Sequence, residues 1–259
     1  MAGKARITLK HTEALLKRLN DIGASLAQTG QALALIGLGS VGTELDRIDD
    51  YSDLDFFAIV KKGQKAEFIN NLDWLSNIQP IAYSFQNTHD GHKLLYADGI
   101  FCEMAVFEAD ELAHIPFAQG RIVWRDPGFD EALAIPKPHS PSQKSAEWLL
   151  GEALTNLYVG LGRYHRGEKL SAARFIQGYA VDRVLDLAGV IETEGSAHKD
   201  LFMVERRFEA RFPGIAAALP DFIQGYDRSR ESARAILQFL EQHFEINAAI
   251  KQAILDLSS

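Results

Sequence analysis

One cysteine, Cys102, in 259 residues leaves no partner for an intramolecular disulfide and excludes a cysteine-based zinc site, so a reduced compartment is the default. Long apolar runs are missing too. No stretch approaches the ~20 residues that a membrane span requires, and Met1 to Asn20 mixes Lys, Arg, His and Glu without an apolar signal-type segment. The expectation is a soluble, cytoplasmic chain with no membrane partner. Basic charge is in short supply: 27 Lys and Arg against 35 Asp and Glu give a net charge of −8, the wrong sign for neutralising a nucleic-acid backbone. A small-molecule partner fits better. Neither fixed-period repeats nor low-complexity tracts occur, and 47% hydrophobic with 24% charged residues are globular proportions that exclude disorder.

What is present falls into two halves. Leu15, Leu19, Ile22 and Leu26 recur at helical spacing, and Gly30 ends that helix. Gln31 to Ile36 reads as a buried strand, Gly37 to Gly42 as the turn leaving it, and Leu54 to Val60 as a second strand central in its sheet. Gly63 to Ser76 reads as a helix. Ile81, Tyr83 and Phe85 alternate as a third strand. His89-Asp90-Gly91-His92 is a turn, and Lys93 to Ala97 is a fourth strand joined through Asp98-Gly99 to Ile100–Phe107. The prolines of Ile135-Pro136-Lys137-Pro138-His139-Ser140-Pro141-Ser142 mark a boundary, giving domains over residues 1–135 and 143–259. Beyond it strand signals vanish. Trp148, Leu149, Leu154, Leu157, Leu161 and Tyr164 form one helical stripe, Phe175, Tyr179, Val184 and Leu187 another, with shorter periodic segments near 201–212, 229–244 and 246–257. The fold class expected is α+β: a mixed sheet flanked by helices, then an all-helical bundle.

Chemistry concentrates in residues 38–60. Asp53 and Asp55, two apart at the start of an extended segment, point to one side while Leu54 and Phe56 point to the other. Two like charges held together call for a cation, and Mg²⁺ shared with a phosphate is the usual one. Upstream, Gly39 and Ser40 sit in a small-residue turn that can bring backbone N–H groups close to an anion, and Thr43-Glu44-Leu45 can open a short helix behind it. By itself that turn is equally well a structural one; that Asp53 merely ends the Asp49–Ser52 loop is the lesser reading, because Asp55 begins a buried strand where an unpaired charge is costly. Glu103 supplies a third carboxylate, the single charge inside the apolar run Ile100–Phe107. Burying it alone would cost several kcal/mol. Either it meets a Lys or Arg, or it joins the two aspartates in a two-metal centre.

Leu38-Gly39-Ser40, twelve intervening residues, then Asp53-Leu54-Asp55-Phe56 and a distant strand carboxylate resemble the nucleotidyltransferase superfamily that includes DNA polymerase beta and the antibiotic nucleotidyltransferases. The pattern covers about residues 30–110. The following helical bundle and Tyr51-Ser52-Asp53 narrow the resemblance to two-domain lincosamide nucleotidyltransferases. The resemblance implies that Asp53, Asp55 and Glu103 bind two Mg²⁺ ions and carry catalysis. Gly39 and Ser40 would hold the β- and γ-phosphates of a nucleoside triphosphate, ATP first. A hydroxyl of a small molecule would take the nucleoside monophosphate, with the helical bundle shaping most of the acceptor pocket. Val41-Gly42-Thr43-Glu44 departs from the continuation common in antibiotic-modifying relatives. Alternatives are a protein or RNA-end acceptor and a non-catalytic nucleotide-binding or antitoxin-like module; a homodimer is compatible with either. Among lesser candidates, Arg163, His165, Arg166 and Lys169 read first as a basic helix end, with a triphosphate contact as the alternative. Arg174 and Arg183 could face a cleft. Glu147 and Glu152 read as exposed helix carboxylates, and His89 and His92 as loop residues.

Overall fold

A computed structural model describes residues 10–136, 144–200 and 203–259. The chain divides into two compact units, Met1–Ser140 and Pro141–Ser259. Most of the proline-rich boundary stretch, residues 137–143, lies outside the described residues.

In the first unit, helix α1 (His11–Thr29) buries Leu15, Leu19, Ile22 and Leu26 completely, each a turn from the next. Gly30 closes it in the left-handed conformation (φ 63°), its N–H donating to the Ala27 carbonyl. Six strands follow: β1 (Ala32–Leu38), β2 (Leu54–Val60), β3 (Ile81–Thr88), β4 (Gly91–Tyr96), β5 (Phe101–Glu108) and β6 (Arg121–Arg125), in the order β3-β4-β5-β2-β1-β6. The β2–β5 pair is parallel and every other pair antiparallel. The sheet is therefore mixed, with β2 inside it, as its apolar sequence requires.

Alternation along the strands decides what each face does. Leu54, Phe56, Ala58 and Val60 of β2 and Cys102, Met104 and Val106 of β5 pack with α1 and with α2 (Lys65–Asn70) and α3 (Asp73–Ser76). Each such burial contributes about 1.5–3 kcal/mol for a large side chain. On the opposite face, Ala34, Ile36 and Ile59 are covered by Phe107, Leu112, Phe117, Phe129 and Ala134. That cover stops short of the β2 N-terminus.

Two local elements differ from expectation and one strand is additional. Residues 63–76 do not form one helix: Asn71 is extended (φ −124°, ψ 110°) and its side chain accepts from the Asp73 N–H, which ends α2 and starts α3. The His89–His92 turn is shorter than expected, since Gly91 and His92 already pair with β5. Strand β6 had no sequence signal strong enough to be read.

The regular elements of the second unit, among its described residues, are all helical: α4 (Ala146–His165), α5 (Lys169–Arg174), a π-helical turn (Phe175–Ala180), α6 (Val181–Ile191), the short α7 (Phe208–Arg211), α8 (Pro213–Ala216) and α9 (Leu219–Phe222), then α10 (Ser229–His243) and α11 (Ala248–Ser258). Ser145 caps α4, its Oγ accepting from the Trp148 N–H. Leu149, Leu154, Leu157 and Leu161 share a core with Ile236, Leu237, Leu240 and Ile254. Trp148 leaves this stripe and stands 42% exposed. The π turn shifts the helical phase, so Ile176 and Ala180 are buried while Tyr179 points outward. Among the described residues no helix is long and apolar enough to cross a membrane.

Candidate functional site

The site is organised by the pairing of one residue. Asp55 is opposite Leu38 in the antiparallel β1–β2 ladder and opposite Glu103 in the parallel β2–β5 ladder. Residues paired across neighbouring strands project to the same face. Asp55 therefore stands between the turn that begins after Leu38 and the carboxylate of β5. Asp53, two residues earlier, shares this face and is half-buried. The opposite face at this level is sealed by Leu54 and Cys102, both fully buried.

The turn after β1 is built to come close to Asp55. Gly39 adopts φ 54°, and a side chain there would start 3.5 Å from Asp55 Oδ2. The positive φ would strain any Cβ there, while the distance itself is ordinary contact with the carboxylate. Gly37 is equally constrained, because a Cβ on it would fall 2.7 Å from the Val41 carbonyl oxygen. Ser40 follows in a single 3₁₀ turn, Gly39–Val41, and Val41 is fully buried as its anchor. Strand β6, unseen in the sequence, braces this turn: Arg121 donates from Nη2 to the Val41 carbonyl (3.0 Å) and from Nε to the Gly42 carbonyl (3.3 Å). Beyond it, Thr43-Glu44-Leu45 leads only into a 3₁₀ turn over Leu45–Arg47, so no α-helix backs the loop. The loop before Asp53 is tied separately. Asp49 Oδ1 accepts from the Tyr51 N–H and Ser52 Oγ, and His11 contacts the Ser52 carbonyl oxygen at 2.9 Å. Asp49, rather than Asp53, closes that loop.

Glu103 is not the buried lone charge expected from its neighbours. Its side chain is 45% exposed, Lys93 Nζ approaches Oε2 at 3.0 Å, and Asn87 donates to Oε1 at 3.1 Å. Lys93 is its register partner on β4, so the ion pair follows from the strand alignment. Cys102 lies behind this row. Burial pushes its thiol well above the usual range; Arg18 opposes the shift, while Asp53, Asp55 and Asp98 add to it. A thiol so held is no nucleophile at neutral pH.

Among the described residues no three His, Cys, Asp or Glu side chains are grouped tightly enough to hold a metal ion alone. Mg²⁺, however, is usually held by one or two carboxylates plus waters and substrate phosphates rather than by an all-protein cage. The oxygen-only pair Asp53 and Asp55, beside a close-approach turn, fits that mode.

Comparison with known proteins finds distant likenesses. No family model matches the chain, and no curated protein matches it in sequence. Among solved structures it is similar to an aminoglycoside 6-adenyltransferase from Bacillus subtilis, with TM-score 0.36 and 11% identity over 93% of this chain and 90% of that one. It is also similar to the Thermotoga maritima CCA-adding enzyme complexed with tRNA, with TM-score 0.34 and 12% identity over 95% of this chain and 72% of that one. Likenesses this distant leave substrate and activity to the residues themselves.

The remaining candidates are accounted for by their contacts. Arg163 lies over the Phe175 ring (4.0 Å) and donates to Ser171 Oγ; His165 contacts the Leu257 carbonyl oxygen at 2.7 Å. Arg166 pairs with Glu168 at 3.1 Å, Lys169 with Asp227 at 3.1 Å, and Arg183 with Asp186 at 2.9 Å. Arg174 and Glu147 are exposed, and Glu152 is half-buried with its carbonyl oxygen accepting from Asn156. His89 is 88% exposed beside Asp90, whereas His92 is buried against the Ile69 carbonyl oxygen. The two histidines do not converge.

Proposed function

We propose that the chain is a Mg²⁺-dependent nucleotidyltransferase that moves a nucleoside monophosphate, AMP from ATP first, to a hydroxyl of a small molecule, with lincosamides and other antibiotics as the leading acceptor class. The observation that carries the reading is the double pairing of Asp55, with Leu38 before the Gly39-Ser40 turn on one side and with Glu103 on the other. The Gly39-Ser40 turn and the carboxylates thereby come together at one end of the sheet. Asp53 and Asp55 would hold the metal, and Mg²⁺ bound there supplies charge neutralisation of the phosphates and of the departing pyrophosphate. Gly39 would let the backbone approach the β- and γ-phosphates, and the Ser40 hydroxyl would donate to them. The acceptor oxygen attacks the α-phosphorus in line, forming a new P–O bond. The bond from the α-phosphorus to the bridging oxygen breaks, and pyrophosphate leaves with its electron pair. Glu103 takes the acceptor proton, at the expense of its contact with Lys93. The catalytic role falls to the first domain, residues 1–135.

A second reading has one observation in its favour: Glu103 already has two partners, Lys93 and Asn87, as a structural carboxylate would. A nucleotide-binding module without turnover would need no third acid. An acceptor screen with α-labelled nucleoside triphosphates and Mg²⁺, read by adduct mass and by pyrophosphate, separates the two. Transfer gives a modified hydroxyl compound. Mg²⁺-dependent ATP binding with neither adduct nor pyrophosphate favours the module.

A further inference from the structure

The face that carries Asp53 and Asp55 continues outward onto an uncovered apolar strip. In the β3–β4 ladder Tyr83 is opposite Leu95, and in the β4–β5 ladder Leu95 is opposite Phe101. One step on from that row in β5 lies Cys102, paired with Leu54, so Phe101 and Asp53 are the residues just before a paired position in adjacent parallel strands. Phe85 extends the strip along β3, across from Lys93. Tyr83 is 57% exposed, Phe85 54%, Leu95 36% and Phe101 36%. Four large apolar side chains contiguous on one open sheet face are unusual for a surface meant only for water. Tyr83, Leu95 and Phe101 occupy three successive strands and Asp53 immediately precedes the fourth, β2, so at ~4.8 Å per strand the row runs about 14 Å from aromatic end to carboxylate. That is the length of a drug-sized molecule.

We propose that this strip is the acceptor subsite: it takes a neutral, hydroxyl-bearing small molecule with an apolar face, laid along Leu95 and Phe101 with its hydroxyl at Asp53 and Asp55. The assignment rests on the nucleotidyl-transfer reading above. It also narrows it. A polycationic aminosugar is recognised through carboxylates, and those beside this strip are committed: Glu103 is matched by Lys93 at 3.0 Å, and Asp53 and Asp55 hold the metal in the reading above. Apolar contact is what the strip offers, and aromatic and aliphatic linings with few polar groups are what small-molecule sites use.

The test uses the full chain and two probes, 2-naphthyl glucoside and an aminoglycoside, titrated calorimetrically with and without ATP and Mg²⁺. The naphthyl glucoside is expected to bind at least tenfold more tightly than the aminoglycoside. Leu95→Asn and Tyr83→Ser, both on exposed side chains, are each expected to weaken it at least tenfold with ATP affinity unchanged; Phe85→Ser provides a third variant. Absence of naphthyl glucoside binding, tighter aminoglycoside binding, or an affinity that the variants leave unmoved overturns the proposal. So does conversion of a dimer to a monomer by these variants with probe affinity unchanged, which would make the strip a contact between copies along the β3 edge. Probe binding that the variants abolish, without pyrophosphate release and without any difference between wild type and Asp55→Asn, leaves the strip a ligand site and removes the transfer reading instead.

Discussion

The two units differ in what they leave open, although both use polar contacts as architecture, Arg121 and Lys93–Glu103 in the first and Arg211–Glu194 in the second. In the second, cations and amides are spent on holding helices together: Arg211 is buried against Glu194 (2.7 Å), and the Gln177 side chain both donates to the Gly225 carbonyl and accepts from the Gly225 N–H. In the first, Asp53, Asp55 and the Tyr83–Phe101 strip share one face of the sheet and are left half-buried or exposed, with Ser40 half-buried in the turn after β1, although the opposite face of β2, β4 and β5 is packed. Stability can be had without such an arrangement. An open, chemically mixed face on a rigid sheet is where ligand chemistry is expected, whereas the second unit shows polar groups used as architecture.

Substitutions on the two sides put this contrast to the test. The largest stability loss should come from the packed side of it: Leu157→Ala, at a fully buried position, is expected to lower unfolding free energy by about 2–5 kcal/mol in urea titrations. Tyr83→Ser on the open face should stay within about 0.5 kcal/mol. Next comes Gly39→Ala, which forces a side chain into φ 54° beside Asp55; a loss of about 1–2 kcal/mol is expected by thermal melting, together with weaker ATP binding. Lys93→Ala removes a pair whose members are 41% and 45% exposed, so the melt should move by less than about 1 kcal/mol. A larger loss would make Glu103 a structural residue and weaken the contrast. The smallest effect is expected in the second unit at Asp182, whose carboxyl is raised above its ordinary value, by desolvation first and by Asp186 and Glu205, with Arg183 opposing. A raised carboxylate disfavours the folded state once it ionises, so Asp182→Asn should stabilise by a few tenths of a kcal/mol at pH 7, discounted for its exposure. That gain should fade as pH falls below the ordinary carboxylate range, where both folded and unfolded chains are protonated.

Much of this was legible in the residues, and the failures have physical causes. Leu15 to Leu26 and Leu54 to Val60 announced α1 and the inner strand because periodicity and continuous apolarity are local properties. Asp53 and Asp55 could be placed on one face for the same reason. The Lys93–Glu103 pair could not, since it depends on how β4 aligns with β5, and register is a tertiary property. Strand β6, only five residues long, is held by its ladder to β1 rather than by an internal pattern. Tyr83 and Phe85 read correctly as a strand, yet alternation does not say that their face is uncovered. Phe175 and Tyr179 misled because a π turn breaks the 3.6-residue phase on which the stripe was read.

Nucleotidyl transfer at Asp55 is tested most directly by pyrophosphate release from ATP with Mg²⁺ and a hydroxyl acceptor, measured for wild type and Asp55→Asn at equal folded concentration verified by circular dichroism. The predicted result is release by the wild type and a drop of about a thousandfold or more in the variant, on the order of 4 kcal/mol of lost transition-state stabilisation. Equal rates in the two proteins, each remaining folded, would contradict it.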